Sequence, residues 1–486
     1  MSRKKKDISR NYMVNTIYQL MVVMIPLFTM PHLSRTLGAE GIGLYSFNNS
    51  IVSYFVLFAI LGSASYGQRE IAYHQDNKAE YSKAFWEIFI LRIVLSLISL
   101  TVFLGYVLIL GREKIVLLIL SMSILNVILD ISWLYVGLEE FSHLAIRNII
   151  VRSFYILFIF TCIRSIDDIY LYILGEVGFN TLQFCLLWSG VRHLVERPRN
   201  LHPFSHFRHV FKMFLPSLAI QLYTVLDKTM LGIFSVDSYA ENGYYEQAQG
   251  IIRSCLVLIS SLVTVMSPKI SHCFANKEYD EMKKHLYFSY RYVWFITIVL
   301  FVSVFILSPF LIPMFLGPQF NKTIILVQVC APMFMIIGLS NITGLQYFVP
   351  TDHIKSHTFS LLVGSCVNIC LNLLFIPRFN SVGASFASVI AELCVTTTQF
   401  IFLVKIGDLK LHKIFMASGK YIVAGLVSGI LLYVFRINVE MNWFNLAMLL
   451  VFEFACYLGL LIIMRDRMVI DYIKSLIARI RGIYNE

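Results

Sequence analysis

The chain has 486 residues, 58% of them hydrophobic and 14% charged, with a mean hydropathy of +0.72. A soluble domain carries roughly 45–50% apolar and about 25% charged residues, so a soluble enzyme, a nucleic-acid module and a disordered chain are poor readings of it. The formal net charge of +11, from 40 Lys and Arg against 29 Asp and Glu, reads in so apolar a chain as a record of membrane topology.

In chain order, fourteen apolar stretches approach the ~20 residues that cross a hydrocarbon core of about 30 Å. They are residues 12–31, 43–66, 86–110, 115–137, 145–163, 168–190, 210–234, 243–266, 290–312, 323–349, 357–376, 382–404, 419–436 and 442–464. The sixth is the weakest, because Glu176 and Gln183 interrupt it. The basic start MSRKKK precedes a segment that contains Pro26 and Pro31 and shows no small-residue cleavage site. The first stretch therefore reads as a span and not as a removable signal peptide.

The cations orient this layout. With a cytoplasmic N-terminus and an even count, 29 of the 40 Lys and Arg fall in or beside cytoplasmic segments, including five before the first span and five in the tail. External loops carry seven, and Arg92, Arg152, Lys228 and Arg253 lie inside spans. That bias predicts both termini on the cytoplasmic side. The longest cytoplasmic loops, about 191–209 and 267–289, are too short for an extramembrane catalytic domain.

Motifs that carry bond-making chemistry are missing. There is no HExxH, Walker A or GxSxG pattern. Nine Cys are present without a CxxC, and Cys366 and Cys370, one turn apart, read as small packing residues. His202, His206 and His209 stand among Arg197, Arg199 and Arg208, which fits a basic cytoplasmic surface better than a metal site. No catalytic residue, cofactor or metal is expected.

A weak internal repeat runs at about 200 residues. Leu37-Gly38 is followed by Gly43, Tyr45 and Asn49, and Leu231-Gly232 is followed by Gly243, Tyr245 and Gln249. A cation precedes each Leu-Gly: Arg35 in one copy, Lys228 in the other. The glycines suit a tight external turn. Half-chain similarity is the mark of a transporter built from two related bundles. The expected organisation is all-α and polytopic, with about 14 transmembrane helices. Two six-helix bundles, 1–195 and 206–404, are related by a pseudo-two-fold along the membrane normal, and two further spans follow within 419–464.

Charges inside a bilayer are costly and mark a cavity or a partner. Gln221, Thr224 and Lys228 share a helical face in the seventh span, beside Asp227. Glu246, Gln249 and Arg253 repeat that spacing in the eighth. One reading makes Lys228 a contact for a substrate phosphate and Asp227 a proton- or sodium-linked carboxylate; the other makes them a structural ion pair. Asn49 belongs to a polar side of the second span, and Asp130 in the fourth has Arg92 or Arg152 as candidate partners. Asn368 and Asn372, one turn apart in the eleventh, suit helix–helix hydrogen bonding. Trp133, Tyr245 and Tyr347 are candidates for stacking on sugar rings or anchoring at the interface. Lys228, Arg253, Arg92 and Arg35 together give a cationic path, which suits an anionic substrate such as a pyrophosphate head group.

Several stretches are also familiar in combination: NYMVNTIYQL (11–20), PHLSRTLGAEGIGLYS (31–46), GQREIA (67–72), WLYVGLEEF (133–141) and NICLNLLFIPRFNSVGASFAS (368–388). In this order they resemble the polysaccharide exporter family of lipid-linked O-antigen or capsule repeat-unit flippases. That family is part of the multidrug/oligosaccharidyl-lipid/polysaccharide exporter superfamily. The resemblance covers nearly the whole chain. It implies a transporter, not an enzyme, in a bacterial inner membrane, working by alternating access on an oligosaccharide carried by undecaprenyl pyrophosphate. Only the polar head would cross the protein while the prenyl tail stays among membrane lipids.

By the same resemblance Arg35, Asp227 and Lys228 match charged family positions, and H+ or Na+ is an implied counter-ion. A polysaccharide polymerase and a chain-length regulator are implied partners; nucleic acid is not. From the residues themselves, the substrate-binding candidates are Lys228, Arg253, Arg35, Arg92, Gln221, Gln249 and Asn49. The ion-coupling candidates are Asp227, Glu246 and Asp130. A multidrug or cation antiporter and a peptidoglycan-precursor flippase on the same fold are the alternatives.

Overall fold

The structure is a computed structural model that describes residues 2–474 apart from 197, 199, 417, 438 and 441. For residues 2–20, 22, 23, 141–143, 215–217, 219, 220, 222 and 223 only the backbone is described. The motif at 11–20 and residues Arg197 and Arg199 thus lie outside the described side chains.

The described residues form helices and no strand, as the apolar composition requires: in lipid, a helix satisfies its own backbone polar groups. The first part of the chain holds α1 (Ser2–Ile60), α2 (Ser63–Tyr73), α3 (Lys78–Ile109), α4 (Lys114–Leu120), α5 (Met122–Leu129), α6 (Ser132–Gly137), α7 (Phe141–Cys162), α8 (Ile169–Leu187) and α9 (Val191–Leu194). Next come α10 (Phe207–Phe234), α11 (Ser238–Ala275), α12 (Tyr279–Phe315), α13 (Asn321–Cys330) and α14 (Met333–Asn341), which runs into a π-helical turn, Ile342–Phe348. Last are α15 (Ile354–Ile406), α16 (Leu411–Met416), α17 (Ser418–Ile437) and α18 (Trp443–Ile463).

Among the described residues, ten helical segments are long and apolar enough to cross a membrane. A pair bent by 49°, Pro318–Cys330 with Met333–Phe348, makes eleven. The expected fourteen are not all separate helices, and backbone breaks explain part of the difference. The 59 residues of α1 span about 88 Å at 1.5 Å per residue, nearly three times a bilayer core. Gly38 breaks the helix at φ 68°, between the first and second expected spans. Asn380 does the same in α15 at φ 50°, between the eleventh and twelfth. A positive φ is cheap for Gly and tolerated by Asn.

Local chemistry sets several helix starts. Asn77 caps α3 by accepting from the amides of Ala79 and Glu80, and Asn442 caps α18 by accepting from Asn445. Large apolar side chains such as Leu108, Ile109, Ile430 and Val451 are exposed, as expected of helices that face lipid.

Two compact units form: Met1–Gln247 with Asn372–Ala384, and Ala248–Leu371 with Ser385–Glu486. In the first, an aromatic core gathers Phe85, Phe89, Trp133 and Tyr135 with the partly buried Trp188. Two of the sequence motifs meet there. A Cβ on Gly67 would strike the Trp133 ring, and one on Gly137 would strike Ile71. Trp133 is therefore a core residue, 3% exposed and stacked on Phe85 with centroids 5.3 Å apart. In the second unit, α17 and α18 pack on each other and on α12.

Candidate functional site

The first unit brings the two repeat copies into direct contact. A Cβ on Gly43 of α1 would collide with the carbonyl oxygen of Tyr239 on α11, and one on Gly243 with the carbonyl oxygen of Ala39. Positions 39 and 43 thus meet 239 and 243 reciprocally. The expectation of a tight turn holds for Gly38, which has φ 68°. Gly43 and Gly243 serve instead the close approach of two helix backbones. Gly232 makes room for the Phe47 ring.

One turn along, the same relation becomes polar. Ser46 Oγ donates to Glu246 Oε2 at 3.0 Å across an offset of 200 residues. Lys228 of α10 forms an ion pair with that same carboxylate oxygen, the two side chains being 17% and 25% exposed. In this state the Lys228 partner is Glu246 rather than its sequence neighbour Asp227.

Asp227 has a separate, drier environment at 5% exposure. Its Oδ2 accepts from the Tyr245 hydroxyl at 2.5 Å, and its Oδ1 accepts from Asn372 Nδ2 of α15 at 2.5 Å. Close by in sequence, Glu241 accepts from the Ser381 amide (3.1 Å) and hydroxyl (2.5 Å). It thereby supplies a cap to the helix that resumes after the Asn380 break. Ser46, Glu241 and Ser381 were not foreseen. The signal for Ser46 was available, since it is the repeat counterpart of Glu246.

The remaining candidates are distributed as follows. Arg92 is 1% exposed. It donates to the Asp130 carbonyl at 2.9 Å, has Asp130 Oδ2 at 3.7 Å and lies 6.0 Å from the Trp133 ring. Of the two partners open to Asp130, the structure selects Arg92; Arg152 donates to Asn180 instead. Enclosed this way, Arg92 offers no surface to a cavity in this state. Arg35 is exposed, and Asn49 and Gln221 are half-buried.

In the second unit, Gln249 is half-buried, with Nε2 3.8 Å from Cys330 Sγ, and Arg253 is exposed. Tyr347 is fully buried, with its hydroxyl on Asp408 at 2.6 Å. In the first unit, His206 Nε2 lies 2.8 Å from Glu87, and the Tyr66 hydroxyl lies 2.8 Å from its Nδ1. Among the described residues no three His, Cys, Asp or Glu side chains converge on a metal-sized point.

Residues 8–274, more than half of the chain, match the family described as "Polysaccharide biosynthesis protein". The chain belongs to that family. This member of the polysaccharide biosynthesis family is 22% identical over 413 residues to an Escherichia coli (strain K12) protein named "Putative O-antigen transporter"; the match covers 83% of the chain and 98% of the relative. The family member's fold is similar to that of a solved structure described as lipid II flippase MurJ, inward closed conformation, with a TM-score of 0.75 at 18% identity over 93% of this chain and 99% of that one. An inward-facing multidrug resistance MATE transporter of the MOP superfamily follows at 0.62 and 12% identity, over 80% and 97%. This polysaccharide biosynthesis protein is thus a multi-pass membrane protein with a flippase and transporter fold.

Proposed function

We propose that the chain moves undecaprenyl-pyrophosphate-linked oligosaccharide repeat units from the cytoplasmic to the outer leaflet of a bacterial inner membrane, by alternating access, for O-antigen, capsule or a related glycan. The observation that carries this reading is Lys228. It is a cation on α10, in the stretch 210–234 expected to span, held by a carboxylate of α11 next to the close approach of α1 and α11. An ion pair of that kind can be exchanged for a phosphate oxygen, since both partners of the lysine are anions of similar size. No bond of the substrate has to break, so no nucleophile or metal is needed. The bundles 1–195 and 206–404 serve as the two repeat-related halves, with 419–464 appended and both termini cytoplasmic. Arg35, Gln221 and Asn49 of the same unit are the further contacts proposed for the head group. A polymerase and a chain-length regulator would take the product onward.

Deleting the gene and analysing lipid extracts by mass spectrometry tests this. A pyrophosphate-linked oligosaccharide should accumulate, and surface polysaccharide should be lost. Accumulation of a peptidoglycan precursor, or changed drug resistance with normal glycan, would assign the chain elsewhere on the same fold.

Asp227 is the proposed site of coupling to H+ or Na+. Glu246 and Asp130 face Lys228 and Arg92, and the buried Asp227 accepts from the Tyr245 hydroxyl and the Asn372 amide. Asp227→Asn is expected to retain substrate binding while transport into vesicles loses its dependence on the ion gradient. Full gradient dependence in that variant would rule Asp227 out.

A further inference from the structure

The appended hairpin of α17 and α18 docks on α12 through four polar anchors within the second unit. Toward one end, Arg291 donates to Asp466 at 2.6 Å and to the Tyr421 hydroxyl at 2.9 Å. The Tyr457 hydroxyl donates to the Phe295 carbonyl at 3.0 Å. Toward the other end, Arg436 donates to the Ile306 carbonyl at 2.6 Å and lies over the Phe310 and Tyr433 rings. In each of these three the donor and the acceptor are plain.

The fourth anchor is different. Glu453 of α18 is fully buried. Its Oε2 lies 2.5 Å from Ser303 Oγ on α12, and its Oε1 has no hydrogen-bond partner. Ser303 Oγ also lies 2.8 Å from the Val299 carbonyl, one turn back. A serine hydroxyl has a single proton, and a carbonyl can only accept. A serine inside a helix can donate to the carbonyl four residues back. A proton on the carboxyl lets Ser303 accept from Glu453 while it donates to Val299, whereas an ionised carboxylate competes with that carbonyl for the one serine proton. The alternative is an ionised carboxylate in the bilayer held by one hydrogen bond, and that bond does not offset the loss of hydration.

We infer that Glu453 is a proton-binding site: at neutral pH it is a neutral carboxylic acid whose O–H donates to Ser303 and docks the α17–α18 hairpin on α12. Three titratable groups on the packed helices have partners of their own. Tyr457, one turn along α18, is on Phe295; Tyr421 is on Arg291 and Asp466; Arg436 is on Ile306. The inference is independent of which substrate the chain carries.

Infrared difference spectra of the full-length protein in lipid at neutral pH, wild type minus Glu453→Gln, test it. The carbonyl stretch of a protonated carboxyl should be lost in the variant, with the carboxylate bands unchanged. Loss of carboxylate bands instead would overturn the assignment. The glutamine amide still donates to Ser303, so the variant is expected to fold. Should it not, Ser303→Ala decides: the acid keeps its proton but loses its acceptor, and the same stretch shifts to higher frequency. An unshifted stretch in Ser303→Ala would overturn the hydrogen bond and the inference with it.

Discussion

Gly243→Val is expected to abolish export of surface polysaccharide in a complemented deletion strain and to lower the melting temperature of the purified protein. The added side chain would meet the Ala39 carbonyl oxygen, a backbone atom that cannot turn aside. Overpacking a close crossing costs about 1–3 kcal/mol where neighbours can shift, and more where they cannot. The reciprocal contact makes a second statement. Gly43→Ala opens the same crossing, so once either variant has separated the helices the other adds little. The double variant should therefore be clearly milder than the sum of the two singles. Normal export by Gly243→Val, or additive losses, would show that the crossing is not a single packed unit.

Lys228→Ala and Glu246→Gln should each reduce export severely. Removing one partner of an ion pair strands the other; that costs ~0.2–1 kcal/mol for exposed pairs and ~3–5 kcal/mol for buried ones. At 17% and 25% exposure this pair lies between those limits. The informative variant is the exchange Lys228→Glu with Glu246→Lys. It restores attraction across the crossing, so the protein should return to the membrane at normal level. It also places a carboxylate where the substrate phosphate is proposed to bind, so export should stay low. Recovery of export by the exchanged pair would make Lys228 a structural residue. Lys228→Ala combined with Arg253→Ala should leave no measurable surface polysaccharide, and normal export by that protein would end the idea of a cationic path.

Much of the fold was legible because its causes are local or compositional. Apolar stretches of about 20 residues must become helices in lipid, and the cation bias predicts which loops stay in the cytoplasm. Gly43 and Gly243 were legible as a pair, since they recur at an offset of 200 residues, and the structure brings their two helices together. The role of those glycines was not, because a glycine in a turn and a glycine at a helix crossing look alike in sequence. Asp130 had two candidate cations, and only packing around Trp133 chose Arg92. Asn372, read as a residue for helix–helix hydrogen bonding, makes such a bond from α15 to Asp227 on α10, whereas Tyr245, read as a ring-stacking or interface-anchoring residue, is a second donor to that carboxylate.

The sequence by itself determined that this is a helical membrane protein with cations inside its apolar stretches. Hydrophobicity, charge bias and repeat spacing are properties of single segments or of their order. Which carboxylate each cation meets was decided by tertiary structure alone. Lys228 passes over its neighbour Asp227 and pairs with Glu246 on the next helix. Adjacent residues on a helix point about 100° apart, so an ion pair in a bilayer is made by whichever helix packs opposite, and that information is not local.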